Sequence, residues 1–259
     1  MEKSIFYNFP ITLLRHREET INYENRIIMD YRQNLINIVN YQIGELLFKK
    51  WSIEDIENDL GITLEKKDEY IKGFVPFFEK FKDKTVPVTG IEKVLCWRFI
   101  NNPKDDFDWK CLWAFLAIKS IVGKKPYQKI TNKLLIARMA GYASFQKLEE
   151  HFNGRPFPEH ILNPDDHYKT RYALDKIKRE LTRHYNVKFY GIGSRGFYAT
   201  IKLTLEELIT QVEKNRQKYV LAAERKTTQD IRLKVLEQLN QEKQLSSTLK
   251  EVGINAASS

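Results

Sequence analysis

The sequence is short of the residues on which many enzymes and secreted proteins depend. It holds only two cysteines among 259 residues, Cys96 and Cys111, in apolar surroundings and without a CxxC pair. They predict buried free thiols and exclude a disulfide framework or a cysteine zinc site. Five histidines occur, none in an HExxH pattern. We therefore predict no metal and no cofactor.

Long hydrophobic runs are also missing. The longest run, from Cys111 to Ile118, stops at Lys119 and is too short to span a bilayer. The opening "MEKS" lacks the basic, apolar and small-residue order of a signal peptide. These features predict a cytoplasmic protein with no membrane partner.

Motifs of catalysis are absent as well. The chain has no G-x-x-x-x-G-K-[ST] phosphate loop, no nucleophile elbow and no closely spaced pair of histidines. A tyrosine recombinase would need an HxxR element, which does not occur. We therefore predict a protein that binds its partner without catalysis.

Acidic residues are missing from one long stretch. Between Trp109 and Leu148 there are eight Lys or Arg residues and no Asp or Glu. Between Lys169 and Lys202 there are nine Lys or Arg residues against two acidic ones. The net charge of +9 is therefore concentrated in these two stretches. Since a solvated surface normally mixes both signs, this pattern favours a polyanionic partner.

The first hundred residues or so are predicted to be helical. Apolar residues recur at helical spacing from Ile28 to Leu46. A short helix is expected between Ser52 and Gly61, and a further one through "KKDEYIKGFVPFFEKF" until Pro76 disturbs it. "VPVTG" and "NNPKDDFD" then indicate a domain boundary near residues 85–108.

Three glycines, Gly191, Gly193 and Gly196, have the G-x-G-x-x-G spacing of a dinucleotide-binding loop. Such a loop needs a helix that begins at its third glycine. Here the following segment "FYATIKL" alternates apolar and polar residues, which predicts a strand. The preceding segment "NVKFYGI" is also predicted to be a strand. The glycines therefore predict the bend of a β-hairpin and exclude a nucleotide site.

The basic half of the chain has a defined order of elements. An apolar helix "KCLWAFLAIKSIVG" is followed by the strand and small helix of "YQKITNKLLIARMAG", the basic helix "TRYALDKIKRELTRHY" and the hairpin "VKFYGIGSRGFYATIKL". This order resembles the winged-helix family of DNA-binding domains over roughly residues 108–205. The resemblance implies a three-helix core, a recognition helix in the major groove and a hairpin wing beside it.

One feature departs from the winged-helix pattern. The family usually has a short turn before the recognition helix, whereas about 28 residues separate Gly141 from Lys169. Either "SFQKLEEHF" is the third helix or it is an insertion. Charge favours the insertion, because Glu149 and Glu150 would face phosphates while the helix at 170–185 presents bases.

The helix at 170–185 separates an apolar stripe, which contains Leu174, Ile177 and Leu181, from a basic stripe on the opposite side. Arginine can bridge guanine O6 and N7, and lysine neutralises phosphate. The predicted DNA contacts of this helix are Arg171, Tyr172, Lys176, Lys178, Arg179, Thr182 and Arg183. In the hairpin they are Lys188, Arg195 and Lys202. The resemblance adds Lys129, Lys133 and Arg138 as contacts to the DNA backbone.

From Leu205 onward the sequence predicts a long helix. Residues at a 3-4 spacing form a seam that would allow a homodimer through this helix, but Lys226 and Gln229 interrupt the seam. The seam contains Leu208, Val212, Tyr219, Ala222, Leu233 and Leu236.

The sequence thus predicts a mainly α protein in three parts. These are a helical N-terminal region (1–105), a winged-helix DNA-binding domain (106–205), and a C-terminal helix with a frayed tail (206–259). The expected function is sequence-specific binding of double-stranded DNA. The whole chain also resembles uncharacterised proteins of bacterial plasmids and conjugative elements, which implies transcription regulation or maintenance of a mobile element.

Two alternatives stay open at this point. A plasmid-type replication initiator would pair two winged helices and would need a second wing within residues 1–108. An adaptor would use its winged helix, its N-terminal region and its C-terminal helix to hold protein partners.

Overall fold

A computed structural model shows a mainly helical protein. It describes residues 5–16, 24–64, 67–158, 160–163, 166–191 and 196–220, together with isolated positions between 222 and 233. The N-terminal elements are strand β1 (Phe6–Pro10), a 3-10 helix (Ile11–Leu14), helices α1 (Glu24–Phe48), α2 (Ile53–Leu60) and α3 (Lys67–Phe81), strand β2 (Val88–Glu92) and helix α4 (Lys93–Asn101). Their buried side chains form one hydrophobic core, the N-terminal cluster.

Strands β1 and β2 pair antiparallel, with Phe6 opposite Glu92. The prediction of a helical N-terminal region therefore missed these two strands. In β1 the exposed Phe6 and Asn8 alternate with the buried Tyr7 and Phe9, which is a strand pattern only five residues long. Helices α1, α2 and α3 lie between β1 and β2 in the chain, so these two strands do not form a β-hairpin. The described residues before α4 contain no other strands. A replication initiator would require such a hairpin for a second wing.

Helix α3 runs through Pro76 to Phe81, so the expectation that Pro76 disturbs it was also wrong. Proline removes one backbone donor from a helix. The flanking Phe74 and Phe78 are buried, and α1 packs along α3. At Gly44 the two backbones are so close that a Cβ atom would overlap the Phe74 carbonyl oxygen. This packing offsets the missing hydrogen bond.

The second half contains helix α5 (Asp106–Val122), strand β3 (Gln128–Ile130), helices α6 (Asn132–Met139), α7 (Phe145–Phe152) and α8 (His167–His184), and strands β4 (Lys188–Gly191) and β5 (Phe197–Thr200). Their buried side chains form the C-terminal cluster. The strands make one antiparallel sheet in the order β3-β5-β4. The predicted strand, helices and hairpin are confirmed, and Gly196 has the positive φ of +106° expected of a glycine bend.

Helix α5 contributes buried side chains to both clusters. Trp113 and Leu116 pack into the N-terminal cluster, whereas Ala114 and Ile118 pack into the C-terminal cluster. The predicted boundary after residue 105 coincides with the start of α5. It stays a prediction as a domain boundary, because one compact unit extends over residues 1–208.

Both cysteines are buried and free, as predicted. Burial raises the pKa of the Cys96 thiol and of the Cys111 thiol to about 12. Both are therefore neutral core residues at pH 7.

Residues 205–220 are helical, and residues 209–259 form a second unit. Thr204 begins this helix with a capping box: its hydroxyl accepts a bond from the Glu207 amide, and the Glu207 carboxylate accepts one from the Thr204 amide. Of the predicted seam, Tyr219 and Leu233 are exposed, and Leu236 lies outside the described residues. The homodimer stays a prediction. In the described part of the chain, no helix has the length and apolar character needed to cross a bilayer.

Candidate nucleic-acid interface

Helix α8 separates its apolar and basic residues as its sequence predicts. Asp166 begins the helix, because its carboxylate accepts a hydrogen bond from the Lys169 amide. Leu174, Ile177 and Leu181 are at most 2% exposed and belong to the C-terminal cluster, where α8 packs against α5. Burial of this stripe fixes the rotation of the helix and directs the opposite face to solvent.

The outward face of α8 is basic and is not neutralised by buried carboxylates. Tyr172, Lys176, Arg179 and Arg183 are all exposed. The Arg179 Nε lies 3.4 Å from the Asp175 carbonyl oxygen, within its own helix. The Lys176 Nζ lies 4.3 Å from the centre of the Phe107 ring. Among the described residues, Arg183 has no ion-pair partner, so the guanidinium groups can reach an external ligand.

Asp175 is the acidic residue exposed on this face. One of its carboxylate oxygens lies 3.9 Å from the Arg171 Nε, and the other lies 3.6 Å from the Lys178 Nζ. The Arg171 pair is exposed, and exposed pairs at such distances contribute little stability and are screened by salt. Asp175 therefore reduces the positive potential of the first half of α8, but it does not fix the Arg171 side chain in place.

Two predicted contacts of α8 have other local partners. The Lys178 side chain is only 21% exposed, and its ammonium lies 4.2 Å from the centre of the Phe197 ring in β5. Burial lowers its pKa. The Thr182 hydroxyl donates a hydrogen bond to the Lys178 carbonyl at 3.0 Å. Lys178 thus packs beneath the hairpin, a position that helical periodicity does not reveal.

The hairpin residues have different environments. Lys188 donates a hydrogen bond to the Asn186 side chain. Lys202 lies two residues beyond β5 instead of on the strand, and its ammonium donates to the carbonyl oxygens of Gly123 and Lys124 just after α5. Arg195 lies outside the described residues. Lys188 is therefore partly exposed to solvent. Lys202 instead binds the backbone carbonyl groups that follow α5.

The residues around α6 also differ from one another. Lys129 on β3 and Lys133 on α6 are exposed, and the Lys133 Nζ lies 4.8 Å from the centre of the Phe145 ring. Arg138 is half-buried, and its Nε and Nη1 atoms are shielded from solvent without a hydrogen-bond partner. Burial lowers the pKa of this guanidinium. Each unmade bond of this kind costs about 1–3 kcal/mol.

Sequence reasoning missed one exposed aromatic residue on α8. Tyr168 is 86% exposed and stands four residues before Tyr172, which is 64% exposed. Residues four apart share a helix face, so the two rings lie on one side of the first turns of α8. The i, i+4 spacing of two tyrosines within a basic helix is the signal that could have identified this pair.

Three of the histidines contact other aromatic rings in the described part of the chain. The ring centre of His16 lies 4.6 Å from that of His160, and Tyr31 contacts the His16 ring at 4.3 Å. His151 packs on Tyr142 instead. Over the described ranges, no three His, Cys, Asp or Glu side chains are grouped as metal ligands would be.

Acidification is expected to destabilise the fold through the His16 and His160 pair. Burial lowers the pKa of His16 from 6.5 to about 3 and that of His160 to about 4. Both are neutral in the folded state at pH 5, whereas unfolded histidines bind protons below pH 6.5. The contribution of the pair to stability is therefore lost as the pH falls from about 6.5, down to about 4 for His160 and about 3 for His16. Each such histidine lowers the free energy of unfolding by about 2 kcal/mol when the pH is reduced from 7 to 5.

Urea unfolding at pH 7 and pH 5 measures this loss. His160→Phe should reduce it by roughly the contribution of one histidine. Equal pH dependence in the wild type and His160→Phe would contradict the assignment.

Comparisons with protein-family models, with curated protein sequences and with solved structures gave no match to this chain.

Proposed function

We propose that this protein binds double-stranded DNA without catalysis, with α8 as its base-reading helix. The observation that carries the proposal is the outward face of α8, where Arg179 and Arg183 are exposed above a fully buried apolar stripe. Paired guanidinium donors of this kind suit the O6 and N7 acceptors of guanine in the major groove. Phosphate neutralisation by the surrounding lysines would supply most of the affinity.

The arrangement of the C-terminal cluster supports a winged-helix function. The chain runs through α5, β3, α6, α7 and α8 into the β4-β5 hairpin, and β5 pairs with β3. The hairpin is therefore part of a three-stranded sheet with β3, the strand that precedes α6. The Phe197 side chain, the first residue of β5 after the bend, also contacts Lys178 of α8, so the bend end of the hairpin lies beside the helix.

The biological setting that we propose is regulation or maintenance of a mobile genetic element. It rests on the resemblance of the whole chain to plasmid and conjugative-element proteins. A DNA-binding role without a catalytic site is consistent with such a setting.

Selection from a library of random duplexes tests the proposal. The purified protein should retain a subset of sequences, and fluorescence polarisation should show that a chosen duplex binds in the presence of excess heparin. The logarithm of affinity should fall with the logarithm of salt concentration by roughly 0.9 for each phosphate neutralised. Weak retention that heparin removes, with no enriched sequence, would instead favour the protein-interaction adaptor.

A further inference from the structure

A surface groove of about 570 Å³ lies within the compact unit of residues 1–208 and is lined by side chains from both clusters. This volume is within the range of about 300–1,000 Å³ that small-molecule sites occupy. The groove reaches the C-terminal end of α8 at His184, and none of the described DNA-contact candidates lines it. Its lining includes Phe6, Arg98, Phe115, Lys119, Tyr185 and Ile201.

Aromatic side chains form much of the lining of the groove. Phe115 of α5 packs on Tyr185, with 4.8 Å between the two ring centres. Phe6 of β1 is 41% exposed, and Val94 in the first turn of α4 is 72% exposed. Apolar side chains that are grouped and exposed in this way mark binding sites. The groove therefore suits an occupant with a flat apolar body.

Two cationic groups of the groove keep hydrogen-bond donors free. The Lys119 ammonium donates one bond to the Gly90 carbonyl oxygen and lies 4.6 Å from the centre of the Phe6 ring. An ammonium carries three donors, so two remain. The Arg98 guanidinium is exposed, and it makes no hydrogen bond or ion pair with the described part of the chain.

The Tyr185 hydroxyl adds a neutral donor beside these cations. Burial raises the pKa of this hydroxyl, whereas the charge of Arg98 acts in the opposite direction. The two groups are therefore close enough to interact. Because the pKa is raised overall, the hydroxyl stays protonated at pH 7 and can donate a hydrogen bond.

Positive charge exceeds negative charge in the groove. Arg98 and Lys119 both line it, and no carboxylate in the described ranges lies within 4.0 Å of either charged group. Glu92, also in the lining, is exposed and attracts Lys119 only from a greater distance. The His184 Nε2 lies 3.0 Å from the Glu180 carboxylate, so that carboxylate already has a partner. An anionic occupant therefore complements the groove.

We propose that this groove binds a small aromatic carboxylate. Its carboxylate would accept hydrogen bonds from Arg98, Lys119 and Tyr185, while Phe6 and Phe115 would contact its ring. A guanidinium matches a carboxylate in geometry, and hydrogen bonds between charged groups are stronger than those between neutral ones. A few convergent polar groups within an apolar lining are the usual composition of a small-molecule site. The proposal does not depend on DNA binding.

A pair of fluorescent probes tests the proposal on the full-length protein. Anilinonaphthalene sulfonate carries an anionic group on aromatic rings, and phenylnaphthylamine has the same rings without the sulfonate. The anionic probe should bind with a stoichiometry of one and at least about tenfold more tightly than the neutral probe, as charge-assisted hydrogen bonds predict. Naphthoate should displace the anionic probe, whereas the neutral naphthamide should not.

Three variants locate the bound probe. Arg98→Gln removes one charge from the groove and should weaken binding of the anionic probe about tenfold, while the neutral probe changes by less than about twofold. Arg32→Gln removes the same charge from an exposed position on α1 outside the lining, and it should leave both probes unchanged. Phe6→Ala removes part of the aromatic lining and should weaken both probes. Thermal melting checks that each variant is folded.

Each outcome supports or overturns the inference. A loss confined to the anionic probe in Arg98→Gln supports the carboxylate site. Equal affinity for both probes, unaffected by Arg98→Gln, would overturn the choice of an anion. If the anionic probe does not bind, or if neither Arg98→Gln nor Phe6→Ala changes its binding, the groove is not the site. If the mass in analytical ultracentrifugation doubles with rising protein concentration while probe binding is lost, a second copy of the chain covers the groove instead.

Discussion

Replacing Arg179 and Arg183 together with alanine is expected to lower affinity for a selected duplex by about 30-fold or more. Both side chains are exposed on α8, opposite its buried leucines. A bidentate arginine contact to a base contributes about 1–3 kcal/mol, so losing two gives a change of this size. Stability should hardly change, because neither side chain has a buried partner among the described residues. Polarisation titration measures the affinity, and thermal melting checks the fold.

The matched control is Arg32→Ala with Arg98→Ala. These two arginines are also exposed, on helices α1 and α4 of the N-terminal cluster. The control removes the same net charge, so it should reproduce only the general electrostatic loss. If both double variants lose affinity equally, α8 does not read the bases. If the Arg179 and Arg183 variant also loses its preference for the selected sequence, the loss is one of direct readout.

Trp113→Ala is expected to lower the free energy of unfolding by about 3–5 kcal/mol, the usual cost of truncating a buried aromatic residue. Trp113 on α5 is 2% exposed and packs on Tyr31 at 4.8 Å. Its indole Nε1 donates a hydrogen bond to the Leu14 carbonyl at 3.0 Å. Chemical denaturation followed by circular dichroism measures the loss.

Trp113→Phe serves as the control for this prediction. It keeps an aromatic ring and removes the bond to Leu14, so it should cost less than the alanine variant. Because α5 packs into both clusters, each variant should unfold residues 1–208 in a single transition. A loss below about 1 kcal/mol for Trp113→Ala, or separate transitions for the two clusters, would contradict the central role of α5.

The sequence was most informative where a periodic pattern was long. The apolar α5 and the amphipathic α8 each extend over four or more turns, and both were predicted with small errors at their ends. The hairpin was recognisable because alternation on both sides of the glycines excluded a helix at Gly196. In these elements the local pattern and the tertiary packing agree, which makes them predictable.

Short elements and side-chain directions were not predictable in the same way. Strand β1 has five residues, so its alternation is too brief to stand out beside the long helical pattern of α1. Helix α3 continues through Pro76 because of packing against α1, which local propensity does not contain.

The candidate site was predicted residue by residue with mixed precision. Arg179 and Arg183 lie on the surface, as the helical wheel requires. Lys178 packs on Phe197, and Lys202 binds the carbonyl oxygens after α5, since each finds a partner that is distant in sequence. No periodicity could indicate that the Nε and Nη1 atoms of Arg138 lack partners, because that property depends on every element around them.

The most direct test of the proposed function is a map of the protein surface that DNA contacts. Backbone amide signals of isotopically labelled protein can be followed by NMR while a selected duplex is added. Binding through α8 predicts the largest shifts at residues 171–183, with further changes in β4 and β5 and little change in α2 and α3. If the shifts concentrate in the N-terminal cluster while α8 is unaffected, α8 is not the DNA-binding helix.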